Sequence, residues 1–464
     1  MTAAFLALWE KCRPAFQQER TWRKAGILAS GHLLNQGRHT ITATLSALGR
    51  QQQDWSAIYR LFEREQFDVE KIFTTLRNDV MNTLPEDHPF LVLLDDTLLP
   101  KRGKHVHGTT WKRDPLGPKF TNNLIWAQRF LQFSAVLPDI DCRCRGIPIH
   151  FQHCPSPQKP SRKATVSEVE IYLQQQKEMR LPQQARLAID ELRTQIPTSR
   201  PLVMIGDGGY TNRTVCQKLP PNTTFIGRIR KDAKLFASVT QPVPQHGRRR
   251  FYGEVLPTPE AIRQDESIPW REVSAVTDNR RHTFRIKSIA LVRSKITGEQ
   301  NLKLIIIQPL AYRLTLKSKP IYRDPAYLIC TDFDLDDAKI LQWYLWRWEI
   351  ELNFRDEKSL IGIHDPQVRI KTAVESLPAF LTAVYGLLLL AGTEAIGRKS
   401  LPIIIPKWQR RDEFTRSSTS NLLTILRQES AQTSVLNNLS GFTYRPSPPA
   451  NPLFCRQFRY KTSV

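Results

Sequence analysis

Two short, uninterrupted apolar runs, each ending on aspartate, constrain this chain more than any other feature. Pro89 to Leu94 runs into Asp95-Asp96-Thr97, and Pro201 to Ile205 runs into Gly206-Asp207-Gly208-Gly209-Tyr210. A strand exposed on one face alternates apolar with polar residues, whereas one covered on both faces reads as a continuous apolar run. These runs therefore predict interior strands of an α/β sheet with helices on both sides. In such sheets functional groups gather beyond the carboxyl ends of the strands, so the pattern places two acids on one rim.

The rest of the chain fits around that core. At ~150 residues per domain, 464 residues make about three domains. From Trp9 to about Leu84 apolar residues recur at helical spacing, as in Trp55, Ile58, Tyr59, Leu61 and Phe62, and predict a helical domain over 1–86. Its basic residues, among them Arg20, Arg23 and Lys24, suit DNA phosphates or simply a solvated helix face. A first core segment spans 87–232. It contains further strands at Arg129–Leu137 and Gly146–Phe151, a helix over Ser167–Ile196 interrupted at Pro182, and an edge strand at Thr224–Arg228. Over 233–325 the pattern turns to Pro-rich turns and alternating segments, a β-rich insertion. A second core segment, 326–396, begins with a strand at Tyr327–Cys330 and continues in one long helix over Asp334–Leu360, with Asp336 and Asp337 near its start. A basic C-terminal region, 397–464, includes Pro446-Ser447-Pro448-Pro449. The longest apolar run, Ala379 to Ala391, is short for a bilayer, so no membrane span is expected.

Charge narrows the partner. Lys and Arg number 67 against 44 acids, a net +23, and such an excess favours a polyanion, nucleic acid first. Arg228, Arg230 and Lys231, then Arg248 to Arg250 and Arg280-Arg281, form basic clusters near Trp270, Phe251 and Tyr252, suited to a DNA-lining surface or to plain solvation. The loop Lys101-Arg102-Gly103-Lys104, followed by His105 and His107, is expected to contact phosphate, with Lys104 a candidate DNA-binding residue. Cys142, Cys144, His150, His153 and Cys154 lack the paired spacing of a zinc site, and no phosphate-cradling glycine motif indicates ATP. Seven cysteines without regular spacing fit a reducing, cytoplasmic compartment and no disulfide framework.

Within the long helix, at about 100° per residue, Tyr344, Arg347, Glu351 and Lys358 share one narrow stripe. Leu341, Leu345, Trp348 and Leu352 flank it on one side, and Trp343, Ile350 and Phe354 on the other. A carboxylate held between apolar arcs must be paired or coordinate a cation. Glu351 has local partners at helical spacing in Arg347 and Arg355. It also has two strand-end acids, Asp96 and Asp207, with which it can converge into an all-oxygen site suited to Mg²⁺ or Mn²⁺. Two such ions clamp the attacking and leaving oxygens of an in-line phosphoryl transfer.

Tyr344, Arg347, Glu351 and Lys358 stand as Y-x₂-R-x₃-E-x₆-K. That arrangement resembles the YREK motif of bacterial insertion-sequence transposases of the DDE class, with LLDDT and IGDGGY preceding it in that family's order. The resemblance spans roughly Phe90 to Gly362. It implies an RNase H-like core, a mixed sheet with flanking helices interrupted by the β-rich insertion, in which Asp96, Asp207 and Glu351 are catalytic and bind Mg²⁺. It also implies that Tyr344, Arg347 and Lys358 contact DNA. Asp96 is preferred over Asp95 because it directly precedes Thr97. If Phe90, Val92, Leu94 and Asp96 share one face of their strand, Asp95 points the other way. The expected activity is endonucleolytic cleavage at transposon ends and strand transfer into target DNA, by a homodimer assembled on paired terminal inverted repeats near the nucleoid. A nuclease of the same core without strand transfer, and a domesticated DNA-binding protein, are the alternatives.

Overall fold

The computed structural model describes residues 1–103, 105–114, 117–118, 120–139, 143–239, 251–277, 280–313, 318–396 and 417–432. The first part is helical, as its periodicity predicts: α1 (Thr2–Lys11), α2 (Glu19–Leu34), α3 (Ile41–Ala47), α4 (Ser56–Glu63) and α5 (Val69–Thr83). Thr40 and Asp68 start α3 and α5 by accepting the backbone N–H groups of Ala43 and Glu70, which the first helical turn leaves without partners.

The sheet begins with β1 (Phe90–Pro100), β2 (Thr110–Arg113), β3 (Leu124–Pro138) and β4 (Cys144–His153). β3 pairs antiparallel with each of β1, β2 and β4. The helix expected over 167–196 is two helices, α6 (Val166–Glu178) and α7 (Leu181–Thr194). The break falls just before Pro182, which occupies the first turn of α7 where its missing N–H costs nothing. Thr165 and Glu168 cap α6 reciprocally. Next come β5 (Leu202–Gly206), the short α8 (Arg213–Cys216) and β6 (Thr223–Arg228). β5 runs parallel to both β1 and β6.

β6 is not the edge strand its sequence suggests. β14 (Ala326–Cys330) returns antiparallel beside it and makes it interior. Between them lie β7 (Leu235–Ala237), β8 (Val255–Leu256), α9 (Pro259–Gln264), β9 (Arg271–Thr277), β10 (Arg280–Arg293), β11 (Asn301–Ile307), β12 (Ala311–Tyr312) and β13 (Ile321–Tyr322). Most strands of this β-rich stretch extend the main sheet rather than form one of their own. β11 pairs with β14 and β10, and the whole reads β2-β3-β1-β5-β6-β14-β11-β10-β7-β8, with β4 on β3 and β9 on β10; only β12 and β13 pair apart. The expected α/β class, a mixed sheet with flanking helices and a helical N-terminal part, is the one formed.

Alternation along the strands divides the core. Phe90, Val92 and Leu94 pack with Leu202 and Met204 against the N-terminal helices and α12 (Lys371–Ile396). Leu91 and Leu93 pack with Val203 and Ile205 on the opposite face, against α10 (Asp337–Trp346) and α11 (Trp348–Asp356). Full burial of such side chains contributes roughly 2 kcal/mol each, so this two-sided packing holds β1 and β5 in the interior of the sheet. α12 extends well beyond the apolar run at 379–391 and is long and apolar enough to cross a membrane by length and composition; 89% of its most apolar window is buried inside the protein. α13 (Thr419–Gln432) packs on α12 and α2. Apart from α13 and residues 417–418, the basic region 397–464 lies outside the described residues, as do Lys104, Cys142 and Arg248 to Arg250.

Candidate active site

The parallel ladder between β1 and β5 ends at Leu94 opposite Gly206. Asp95 and Asp207 are the next residue on each chain, so they stand level. Both follow the alternation of Leu91, Leu93, Val203 and Ile205, which places them on the α10–α11 face. The ladder between β5 and β6 likewise ends at Gly206 opposite Gly227, which brings Arg228 to the same level. Burial and the negative charge of Asp207 raise the Asp95 carboxyl to about 7, against the pull of Arg347.

Asp96 belongs to the other face, with Phe90, Val92 and Leu94. There it accepts a hydrogen bond from Tyr210 Oη at 2.8 Å and pairs with Arg129 at 3.4 Å. Burial raises its carboxyl too, while Arg129 and Tyr210 lower it. The residue expected as the first acid thus turns away from α10 and α11, and its neighbour Asp95 turns toward them, because each keeps the side that strand alternation assigns to it. Asp207 is held by its own loop: Oδ1 accepts the backbone N–H of Gly209 at 2.8 Å and of Tyr210 at 3.3 Å.

The long helix is broken at Arg347, whose N–H bonds back to Tyr344, into α10 and α11. Asp336 caps α10 by accepting from Ala338 and Lys339 N–H. Asp337 is almost fully buried and is met by Arg271, by Ser288 Oγ at 2.9 Å and by Lys303 at 3.4 Å. Gln342 bonds to both the N–H and C=O of Val276 on β9. The insertion strands therefore seat the first half of the helix. Ile350 and Phe354 bury its second half, while Asn353 Nδ2 donates to Gly146 C=O at 3.0 Å. Of the two apolar arcs, Trp343, Ile350 and Phe354 are buried as a set, but from the other only Leu341 is; Trp348 is exposed and Leu345 and Leu352 are half-buried. The sheet can cover only one side of a helix, and it covers that one.

Arg347 is the hinge of the site. One nitrogen lies 2.6 Å from Glu351 and another 3.2 Å from Asp95. The local ion pair expected at helical spacing is thus present, and the same guanidinium continues to the strand acid. Burial opposes the Arg347 charge, yet Tyr344, Glu351 and Asp95 together raise its pKa. Tyr344 is pushed up by burial, with Arg347 and Arg228 pulling the other way. Lys358 lies apart from this group: burial lowers its pKa, while Glu357, Asp114 and Asp96 raise it.

No group of three or more His, Cys, Asp or Glu among the described residues is gathered closely enough to hold a metal ion. Asp95 and Asp207 face each other, and Glu351 joins them through Arg347 rather than directly. The donor set nonetheless suits a hard divalent cation, since two carboxylates face each other and burial makes the charge of Asp95 costly without one. Beside Asp207 opens a cavity of about 1180 Å³ lined by Gly208, Thr211, Arg228, Arg230, Lys231 and Lys234, among others. Arg230 is exposed and pairs with Asp232 at 2.8 Å. Cys144, His150, His153 and Cys154 all fall on or next to β4 and gather no zinc-binding group with other described residues. Sequence reasoning missed the contacts that Tyr210 and Arg129 make with Asp96; for Tyr210 the signal was its place at the end of the IGDGGY segment.

A family model described as DDE superfamily endonuclease matches residues 13–291. That is more than half the chain, and it contains Asp95, Asp96 and Asp207 but ends before Glu351. No curated protein matches.

Proposed function

This chain belongs to the DDE superfamily endonuclease family, and on that premise we propose that it is a DNA transposase whose active centre is built on Asp95, Asp207 and Glu351. The reading rests on one observation above all: the level pair Asp95 and Asp207 beneath the Arg347–Glu351 ion pair. DNA is the substrate that the family implies and the charge of +23 favours. DDE nucleases generally use divalent metal ions. Mg²⁺ or Mn²⁺ would be held by Asp95 and Asp207, with Glu351 joining as Arg347 releases it, and would supply a polarised phosphate and an activated water.

The chain's own residues do the remaining work. Arg347 neutralises Asp95 and Glu351 when no cation is bound, and once displaced it is placed to take a DNA phosphate, as are Tyr344 and Lys358. Arg228, Arg230 and Lys231 line the cavity beside Asp207 and guide the strand toward it; Lys104 follows the first acids in the chain and serves the same backbone. Cleavage at terminal inverted repeats, strand transfer and a homodimer on paired ends complete the proposal. Strand transfer with pre-cleaved ends and Mg²⁺ tests it. The proposal requires joined products, lost in Asp207→Asn and Glu351→Gln while DNA binding persists. Cleavage without joining would reduce the protein to an endonuclease, and neither reaction would refute the catalytic reading.

A further inference from the structure

Behind α11 lies a buried polar group that the proposed chemistry does not use. Glu357 is fully buried on a widened, π-helical turn, Glu357–Ile361, directly after α11. Neither of its carboxyl oxygens has a hydrogen-bond partner among the described residues. The side chain facing it is Gln132 on β3, also fully buried, whose Oε1 likewise lacks a partner. Gln132 sits directly opposite Asp95 in the β1–β3 ladder. Its Nε2 donates to Ser134 Oγ at 3.1 Å, and Ser134 donates to Asn353 Oδ1 on α11, also at 3.1 Å. A polar chain thus runs from the turn after α11, under the strand position that carries Asp95, and back into α11.

Burial and Asp356 raise the Glu357 carboxyl, while Gln132 and Lys358 pull it down. Carboxyl and amide oxygens buried without a hydrogen bond are costly, and a proton on Glu357 satisfies its own oxygen and Gln132 Oε1 together. We propose that Glu357 is a positioning residue for the metal-binding carboxylates: it keeps its proton, donates it to Gln132 Oε1, and so fixes β1 at Asp95 against α11 and the turn bearing Lys358. Burial raises its carboxyl to about 8, which keeps the acid neutral at pH 7. Glu357 continues the buried face of Asn353, one helical turn earlier, while Lys358, one residue on, is half-buried near Asp96. The claim that the fixed element is a metal site rests on the reading given under Proposed function; the claim that Glu357 fixes β1 does not.

Two readouts separate those claims: Mn²⁺ binding without DNA, by calorimetry, and amide hydrogen exchange across residues 92–97. Glu357→Gln keeps a neutral donor, so it should match the wild type in both. Glu357→Leu and Gln132→Leu break the link. They should weaken Mn²⁺ binding by about 10- to 100-fold, the usual cost of losing a group that orients a ligand, and speed exchange at Asp95 and Asp96. Should Glu357→Leu not fold, Gln132→Leu and Glu357→Gln still decide. Wild-type Mn²⁺ binding and exchange in a folded Leu variant, or a Glu357→Gln protein impaired in either readout, would overturn the proposal. Faster exchange in the Leu variants of a protein that binds no Mn²⁺ would leave the positioning role standing and sink the metal reading instead.

Discussion

Replacing Glu357 with glutamine removes a proton-binding site whose affinity differs between the folded and unfolded chain. Unfolded, the carboxyl titrates near 4.5; folded, burial raises it to about 8. Because the folded form holds the proton more tightly, the group's contribution to stability is fully present below the unfolded value and is lost as pH rises toward the folded one. Each pH unit in that window is worth ~1.4 kcal/mol, so between pH 4.5 and about 8 the wild type loses at most about 5 kcal/mol that the glutamine variant does not. The group is fully buried, so solvent screening does little to reduce the figure. Urea unfolding of both proteins at intervals from pH 5 to pH 9 measures it. The difference in unfolding free energy, variant minus wild type, should climb through this window and level off above it. A flat difference would refute the buried neutral acid, and a difference that falls with pH would mean that the folded protein prefers the carboxylate.

Three further outcomes follow from the same geometry. Arg347→Ala leaves Asp95 and Glu351 without their shared cation; since Glu351 is partly exposed, the loss should be about 1–3 kcal/mol rather than the larger cost of a fully buried pair. Mg²⁺ should then raise the melting temperature of the variant more than that of the wild type, a comparison made by scanning calorimetry; equal shifts would separate Arg347 from the metal site. Gly362 has a φ of +65° and ends the wide turn where an added Cβ would lie 2.7 Å from His39 Cβ, so Gly362→Ala should cost more than ~1 kcal/mol in denaturant unfolding. Arg228→Ala and Lys231→Ala should each lower the salt dependence of DNA binding by about 0.9 in the log–log slope if each contacts one phosphate, read by fluorescence anisotropy across salt concentrations.

Much of this site could be read from the sequence because it depends on short-range rules. The continuous apolar runs gave interior strands, and their terminal acids came out level because both runs end together, at Leu94 opposite Gly206. The helix spacing gave the Arg347–Glu351 pair. The choice between Asp95 and Asp96 was harder: alternation correctly told the two apart, but not which side the catalytic helix would cover, and that is decided by β14 and the insertion strands far along the chain. The same long-range pairing turned β6 from an expected edge into an interior strand. The break at Arg347 was hidden because helical periodicity barely changes across a single tightened turn. Helical spacing puts Asn353, Asp356 and Glu357 on a far, polar face that reads as solvated, yet all three are buried, because polar residue types do not reveal that the protein covers both sides of this helix.

The central claim is that the acid facing Asp207 beneath the catalytic helix is Asp95. Cleavage of end-bearing DNA in Mg²⁺ by Asp95→Asn and Asp96→Asn, each shown to be folded and to bind DNA, puts it to the test directly. The geometry calls for no detectable cleavage by Asp95→Asn and measurable, weakened cleavage by Asp96→Asn; the reverse result would contradict it.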